Sequence, residues 1–189
     1  LQRGTGARKP KRTAAQKEKL LATALATIAR LEPGGILAYT DGASLDNPGP
    51  AGAGVVFAGA GSMLQPQSWR MGKASNNVAE LFAIGAAAES IMVIRAAGLT
   101  TEARSFVLTD SDNGLGRIAA TPRSDDSDLL VKVRRAVRRC RETGPLGLIW
   151  VPGHVGVPGN EMADVVAKDG AIDSMRRRKA AKHGSTDLG

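Results

Sequence analysis

Ile36-Leu37-Ala38-Tyr39-Thr40-Asp41-Gly42 is the stretch that decides the fold of this 189-residue chain. An apolar run closing on an Asp-Gly pair reads as a short buried strand that delivers a carboxylate at its end. Ser105 to Thr109 repeats the design and closes on Asp110. Between them, Ala53 to Ala58 and Met63 to Trp69 read as two more strands, joined by a hairpin at Gly59-Ala60-Gly61. Asn76 to Ala97 reads as a long helix stopped by Gly98. Beyond Asp110 the pattern predicts a short helix from Ser111 to Ala119 and a polar loop through Pro122 and Asp128. A basic amphipathic helix from Leu129 to Thr143, a strand from Leu146 to Val151 and a helix from Pro158 to Gly170 follow. Three antiparallel strands followed by strands alternating with helices imply a mixed α/β sheet in one domain.

Upstream, Thr13 and Gln16 carry a capping-box signature, followed by Leu20, Leu21, Ala24, Leu25, Ile28 and Leu31 at helical spacing. Pro33-Gly34-Gly35 ends that amphipathic helix. Its apolar face either packs on a neighbouring surface or binds a membrane or partner. Residues 1–12 read as a disordered basic arm, 13–35 as helix and linker, 36–171 as the main domain and 172–189 as a disordered basic tail.

Composition narrows the function. A hydrophobic share of 42% supports a real core and excludes wholesale disorder. No run of apolar residues approaches the length of a membrane span, and no apolar stretch follows Leu1-Gln2-Arg3-Gly4 as in a secretory signal. An intracellular and, given the basic runs, nuclear location is expected, and the Leu start reads as that of an excised piece. Cys140 is the single cysteine, which excludes an internal disulfide and a cysteine zinc site. The net charge is +8, the footprint of a nucleic-acid binder. Aromatics make up 3%, which argues against base-stacking platforms. Residues 1–35 hold eight basic and two acidic side chains, and residues 168–189 hold six and three. The middle holds twelve and thirteen, so the excess belongs to the two ends.

The chemistry lies in the carboxylates. If the strands ending on Asp41 and Asp110 are neighbours, the two side chains emerge together. Glu80 lies one turn into the long helix and Asp164 in the last helix. Packed carboxylates repel, and oxygen-only ligands point to Mg²⁺ or Mn²⁺ as the neutralising cation. Each residue also has a plainer reading. Asp41-Gly42 alone reads as an ordinary turn, Glu80 as a solvated helix residue were it not for Leu81 and Phe82 beside it, and Asp110 as a helix cap with Asp112 as its competitor. Asn76 and Asn77 also have a reading as simple helix caps, and Gly42, Gly49, Gly153 and Gly159 read as turn-makers. The basic face of Lys132, Arg134, Arg135, Arg138, Arg139 and Arg141 is equally a solvated surface or a guide for phosphates.

Four segments in order carry a resemblance. Thr40-Asp41-Gly42-Ala43-Ser44 with Asn47-Pro48-Gly49 and Gly52-Ala53-Gly54 resembles the opening strand and loop of the type 1 ribonuclease H family. Asn76-Asn77-Val78-Ala79-Glu80 resembles its helix start and Thr109-Asp110-Ser111 its strand end. Trp150-Val151-Pro152-Gly153-His154-Val155-Gly156 with Asn160-Glu161 and Ala163-Asp164 resembles its C-terminal segment. The resemblance implies a five-stranded mixed sheet, three strands antiparallel and then two parallel, flanked by helices. It implies a hydrolase of the RNA strand of RNA–DNA hybrids, using two Mg²⁺ ions and leaving 3′-hydroxyl and 5′-phosphate ends. Asp41, Glu80, Asp110 and Asp164 match the family's metal ligands, and His154 its mobile-loop histidine. Ser44, Asn47, Asn76 and Asn77 match minor-groove contacts, and Asn160 is expected among the substrate-binding residues.

The chain also departs from the family. The stretch from Ala119 to Asp128 is short, acidic and without Trp, where many cellular members carry a basic protrusion. The Leu start, the preceding helix and the wording from Val151 to Glu161 look most like domains of non-LTR retrotransposon polyproteins. The resemblance therefore implies a monomeric retroelement-derived domain acting beside a reverse transcriptase. The alternatives are a free-standing cellular enzyme that clears hybrids and a catalytically silent hybrid-binding module.

Overall fold

The computed structural model describes residues 12–62, 64–99 and 104–184. Helix α1 spans Ala14–Leu31, and strands β1 Gly35–Ser44, β2 Gly49–Gly59 and β3 Gln67–Ala74 follow. Then come α2 Asn76–Ala96, β4 Arg104–Thr109, α3 Asp112–Ala119, α4 Asp128–Glu142, β5 Leu146–Trp150 and α5 Pro158–Gly184. The sheet order is β3-β2-β1-β4-β5. β1 pairs antiparallel with β2 and parallel with β4, while β4 pairs parallel with β5. This is the mixed five-stranded sheet that the sequence implies.

The period of two in β1 builds both layers. Ile36 and Ala38 face one side, where they pack with Leu81, Ile84 and Ile91 of α2 and Val133 and Val137 of α4. Leu37 and Tyr39 face the other, where they pack with Leu108, Ala163 and the α1 residues Ala24 and Ile28. Helix α1 thus packs Ala24 and Ile28 into this second cluster, with Leu108 of β4. Its cap is the predicted one: Thr13 accepts from the Gln16 amide and the Gln16 side chain accepts from the Thr13 amide.

Helix α2 is long and apolar enough to cross a bilayer by composition alone, which the expectation of no such stretch overlooked. Its apolar faces are instead spent on the core, from Ala79 to Ile94. Gly98 ends it with positive φ, and the Leu99 amide donates to the Ile94 carbonyl in a Schellman pattern. Arg95 in its last turn donates to the carbonyls of Cys140, Gly144 and Pro145, fixing the corner between α4 and β5. Arg95→Ala should therefore cost roughly 2–4 kcal/mol of stability, since charge-assisted bonds to carbonyls are lost together. Urea denaturation measures it, and a loss below about 0.5 kcal/mol, as for an ordinary surface change, would contradict the assignment.

Four elements differ from the sequence reading by more than two residues. β2 begins at Gly49 rather than Ala53, because Gly49 to Gly52 already pair with β3. β1 continues past Asp41 to Ser44, because Asp41 to Ser44 still pair with β2 after the β4 pairing ends at Thr40. β3 begins at Gln67, not Met63, because turn bonds to the carbonyls of Gly59 and Gly61 keep the chain folding through Leu64. It then extends to Ala74 across a bulge opposite Ala51 and Gly52. Helix α5 runs to Gly184, so residues 172–184, expected as a disordered tail, continue the helix. Residues 1–11 of the expected basic arm, Met63 and residues 185–189 lie outside the described residues.

Candidate active site

The parallel register pairs Thr40 with Thr109 as its last step. The next residues, Asp41 and Asp110, therefore emerge side by side from the same end of neighbouring strands. Ser75 caps α2 by accepting from the Val78 amide, and so places Glu80 one turn in, over the same strand ends. The asparagines that followed Ser75 in the sequence are not the cap. Asp164 arrives on α5, which lies tightly on β2: a Cβ on Gly54 would stand 2.5 Å from the Ala163 carbonyl oxygen.

Each carboxylate has a defined support. Asp41 is buried and accepts from the Gly42 amide at 2.7 Å. Glu80 accepts from the Ser111 hydroxyl at 2.6 Å. That hydroxyl also accepts from the Gly114 amide, so Ser111, rather than Asp110 or Asp112, caps α3. Asp110 accepts from Asn160 Nδ2 at 3.4 Å. Asp164 forms an ion pair with Lys168 one turn later, at 2.5 Å. Gly42 and Gly153 both have ordinary φ and serve close approach; Gly42 lies within β1, while Gly153 also sits in the turn it was read to make. A Cβ on Gly42 would meet the Glu80 amide nitrogen at 2.1 Å, and one on Gly153 would meet Asp110 Oδ2 at 2.0 Å.

The electrostatics follow from that crowding. Burial first, then the Asp110 charge, pushes the Asp41 carboxyl up to about 8, against an opposing pull from the Gly42 amide. Burial likewise raises Glu80 and Asp110, partly offset by the bonds from Ser111 and Asn160. Lys168 is raised chiefly by its bond to Asp164. Among the described residues no three His, Cys, Asp or Glu side chains converge closely enough to ligate one ion as they stand. Two of the candidates are turned to protein partners, Glu80 to Ser111 and Asp164 to Lys168.

A family model described as RNase H matches residues 33–172. The chain belongs to the ribonuclease H family. It is 31% identical over 156 residues to a ribonuclease H of Pseudomonas putida strain W619, covering 75% of this chain and 95% of the relative. A ribonuclease H1 from the halophilic archaeon Halobacterium salinarum shares 28% identity with TM-score 0.57, over 74% of this chain and 98% of its own. LC11 ribonuclease H1, solved in complex with an RNA/DNA hybrid, shares the fold: TM-score 0.59, 24% identity, 74% and 99% coverage. The expected likeness to retrotransposon polyproteins finds no counterpart among these relatives.

The remaining predicted residues of this ribonuclease H domain divide into two groups. Ser44 donates to the Ala74 carbonyl and accepts from the Gly49 amide, while Asn47 accepts from the Asn76 amide. Asn76 and Asn47 thus meet, with Asn77 exposed beside them. Asn160 does not join them. It is 1% exposed, so it cannot reach a substrate, and its amide is directed to Asp110 instead. His154 is exposed on the loop before α5, with φ 56. Its neighbour Gly153 accepts from Arg12. Sequence reasoning assigned no role to Ser111 or Lys168. The Ser-x-x-Gly spacing after Asp110 and the i,i+4 spacing from Asp164 were the available signals.

Gly153→Ala is the most local probe of this packing. The added methyl must displace Asp110 or the His154 loop, and an ångström of misplacement costs on the order of a hundredfold in rate. Activity within about threefold of the parent at unchanged melting temperature would show that Asp110 is not held from this side.

Proposed function

We propose that the chain is a metal-dependent endonuclease that hydrolyses the RNA strand of RNA–DNA hybrids. The observation that carries the reading is the arrival of Asp41 and Asp110 from adjacent parallel strands beneath Glu80 and Asp164, in a chain of the ribonuclease H family. The donor set fits a hard divalent cation such as Mg²⁺, with Mn²⁺ as a substitute: it is oxygen only, and Asp41 sheds its proton reluctantly unless positive charge is nearby. Asn160 Oδ1, buried without a partner beside Asp110, is a further unsatisfied oxygen at the same place. Asp41 and Asp110 would hold the ions jointly, with Glu80 and Asp164 completing the set. When bound, two such ions activate water, stabilise the leaving oxygen and neutralise charge at the phosphate.

The chain's own residues do the positioning. Ser111 orients Glu80, while Asn160 and Gly153 fix Asp110. His154, exposed at the mouth, would pass a proton to the leaving 3′ oxygen. Ser44, Asn47, Asn76 and Asn77 would face the minor groove, where a 2′-hydroxyl both donates and accepts and so separates RNA from DNA.

The reading extends to a free-standing enzyme rather than a polyprotein domain. What supports it is the alignment across 95% of the Pseudomonas putida relative, which leaves no length in that protein for a polymerase. The test is a substrate panel of end-labelled hybrid, duplex DNA and duplex RNA, with Mg²⁺ and with chelator. Only the RNA strand of the hybrid should be cut, with 3′-hydroxyl ends. Cleavage of duplex DNA at a similar rate would overturn the assignment.

A further inference from the structure

Helix α5 continues past residue 172, where the family match ends, and its extension lies along the edge strand β3. Ser174 sets that placement. It is buried, donates to the Ala51 carbonyl at 2.7 Å and accepts from the Gly72 amide at 3.3 Å. Residues three and four positions on share a helix face, so Arg177 and Arg178 project on the side that Ser174 turns toward β3. There they meet Arg70 and Lys73 across a cleft of about 340 Å³.

The cleft lacks negative charge. No acidic residue lines it, and among the described residues none of these four cations stands within ion-pair distance of a carboxylate. Arg176, pointing elsewhere, is the member of the run that pairs, with Asp173 at 3.4 Å. Four cations held around one groove by an ordered helix and a strand repel one another unless an anion joins them. The cleft is also continuous with the candidate groove-reading residues. Pro50 lines it and pairs with Lys73, and the next pair along the ladder is Gly49 with Ala74, which Ser44 bridges.

We propose that this β3–α5 cleft binds the phosphodiester backbone of the nucleic acid duplex where it runs on past the active site. The ligand class rests on the hybrid-hydrolase reading above; the site itself rests on the cleft. Its phosphates would supply the missing counter-charge, and binding there would anchor the duplex without reading its sequence.

The test is equilibrium binding of a labelled hybrid by fluorescence anisotropy, across a salt series, in an Asp110→Asn background that prevents cleavage. Replacing Arg70, Lys73, Arg177 and Arg178 together by Ala should weaken binding roughly tenfold or more and flatten the salt dependence by about three to four units of slope. Replacing Arg30 and Arg104, at the end of the sheet remote from Asp110, should change affinity by no more than about twofold. Gln replacements at the four positions keep side-chain length and substitute for the Ala set if that set melts early. An unchanged affinity and slope with hybrid still bound by the parent would overturn the cleft alone. Equal weakening by the Arg30 and Arg104 pair would also overturn it, since net charge would then be responsible. A parent that binds no hybrid would overturn both the cleft and the hydrolase reading.

Discussion

Asp110→Asn is expected to lose at least about a thousandfold in RNA-strand cleavage, while folding as the parent does. Metal-borne charge stabilisation at a phosphate is worth several kcal/mol, and about 4 kcal/mol is a factor of roughly a thousand. Asp110 stands where that loss is largest. It ends β4 beside Asp41, and it is held by Asn160 and crowded by Gly153, an arrangement with no evident purpose for a residue that merely faced solvent. Asn keeps the size and one oxygen but removes the charge, so Asn160 retains an acceptor and the loop retains its packing. Single-turnover cleavage at saturating Mg²⁺, compared with the thermal melts of both proteins, separates lost chemistry from lost structure. A variant within about tenfold of the parent would mean that Asp110 does not hold the reacting ion.

The second large effect has the opposite sign on stability. In the protein without metal the Asp41 carboxyl is pushed up from an ordinary 3.8 to about 8, by burial and by Asp110. Between those values the folded chain keeps a proton that the unfolded chain has released. The associated stability is fully present below the unfolded value and is lost as pH rises through about 8. Metal-free parent should therefore weaken steadily from mildly acid to alkaline pH. Asp41→Asn carries no such charge, and its side-chain oxygen can still accept from the Gly42 amide. The variant should be more stable than the metal-free parent at pH 8 by on the order of 2 kcal/mol, and indistinguishable from it below about pH 4. Added Mg²⁺ should stabilise the parent by mass action and leave the variant unmoved, because binding to the folded state alone shifts the balance. Urea titrations across pH, with chelator and with Mg²⁺, measure all of this. A variant that is no more stable at pH 8 would show that the buried carboxylates are not in conflict. Stability given up at the place that performs the chemistry is the usual mark of a functional site.

Much of this was legible in the residues. Two apolar runs each closing on Asp predict two adjacent strand ends, and the Thr40–Thr109 register places Asp41 and Asp110 together as expected. The capping box at Thr13 and the stop at Gly98 are local chemistry, and both read correctly. What escaped notice depends on contacts between distant segments. β3 hides its alternation behind a bulge and the positive φ of Gly72, so the strand read from Met63 to Trp69 starts four residues early and stops five short of Ala74. The end of α5 hid because its buried stripe is Ala167, Ala171 and Ser174, small residues with a weak hydrophobic signal. Small is what the packing needs, since β2 approaches through Gly52 and Gly54 with no room for a Cβ. Asn160 is expected among the substrate contacts, and only the fold shows it buried beside Asp110. The net charge of +8 pointed to nucleic acid from the start, and the structure gathers part of the C-terminal excess into one cleft.

The most direct test is the rate of RNA-strand cleavage in a labelled RNA–DNA hybrid as Mg²⁺ is titrated from chelated to saturating. The carboxylate cluster should yield no cleavage without the ion, a rise to a plateau with it, and an intact DNA strand throughout. RNA-strand loss that persists in chelator, or no loss at any Mg²⁺ concentration, would contradict the assignment of Asp41, Glu80, Asp110 and Asp164 as the metal-holding centre of a hybrid ribonuclease.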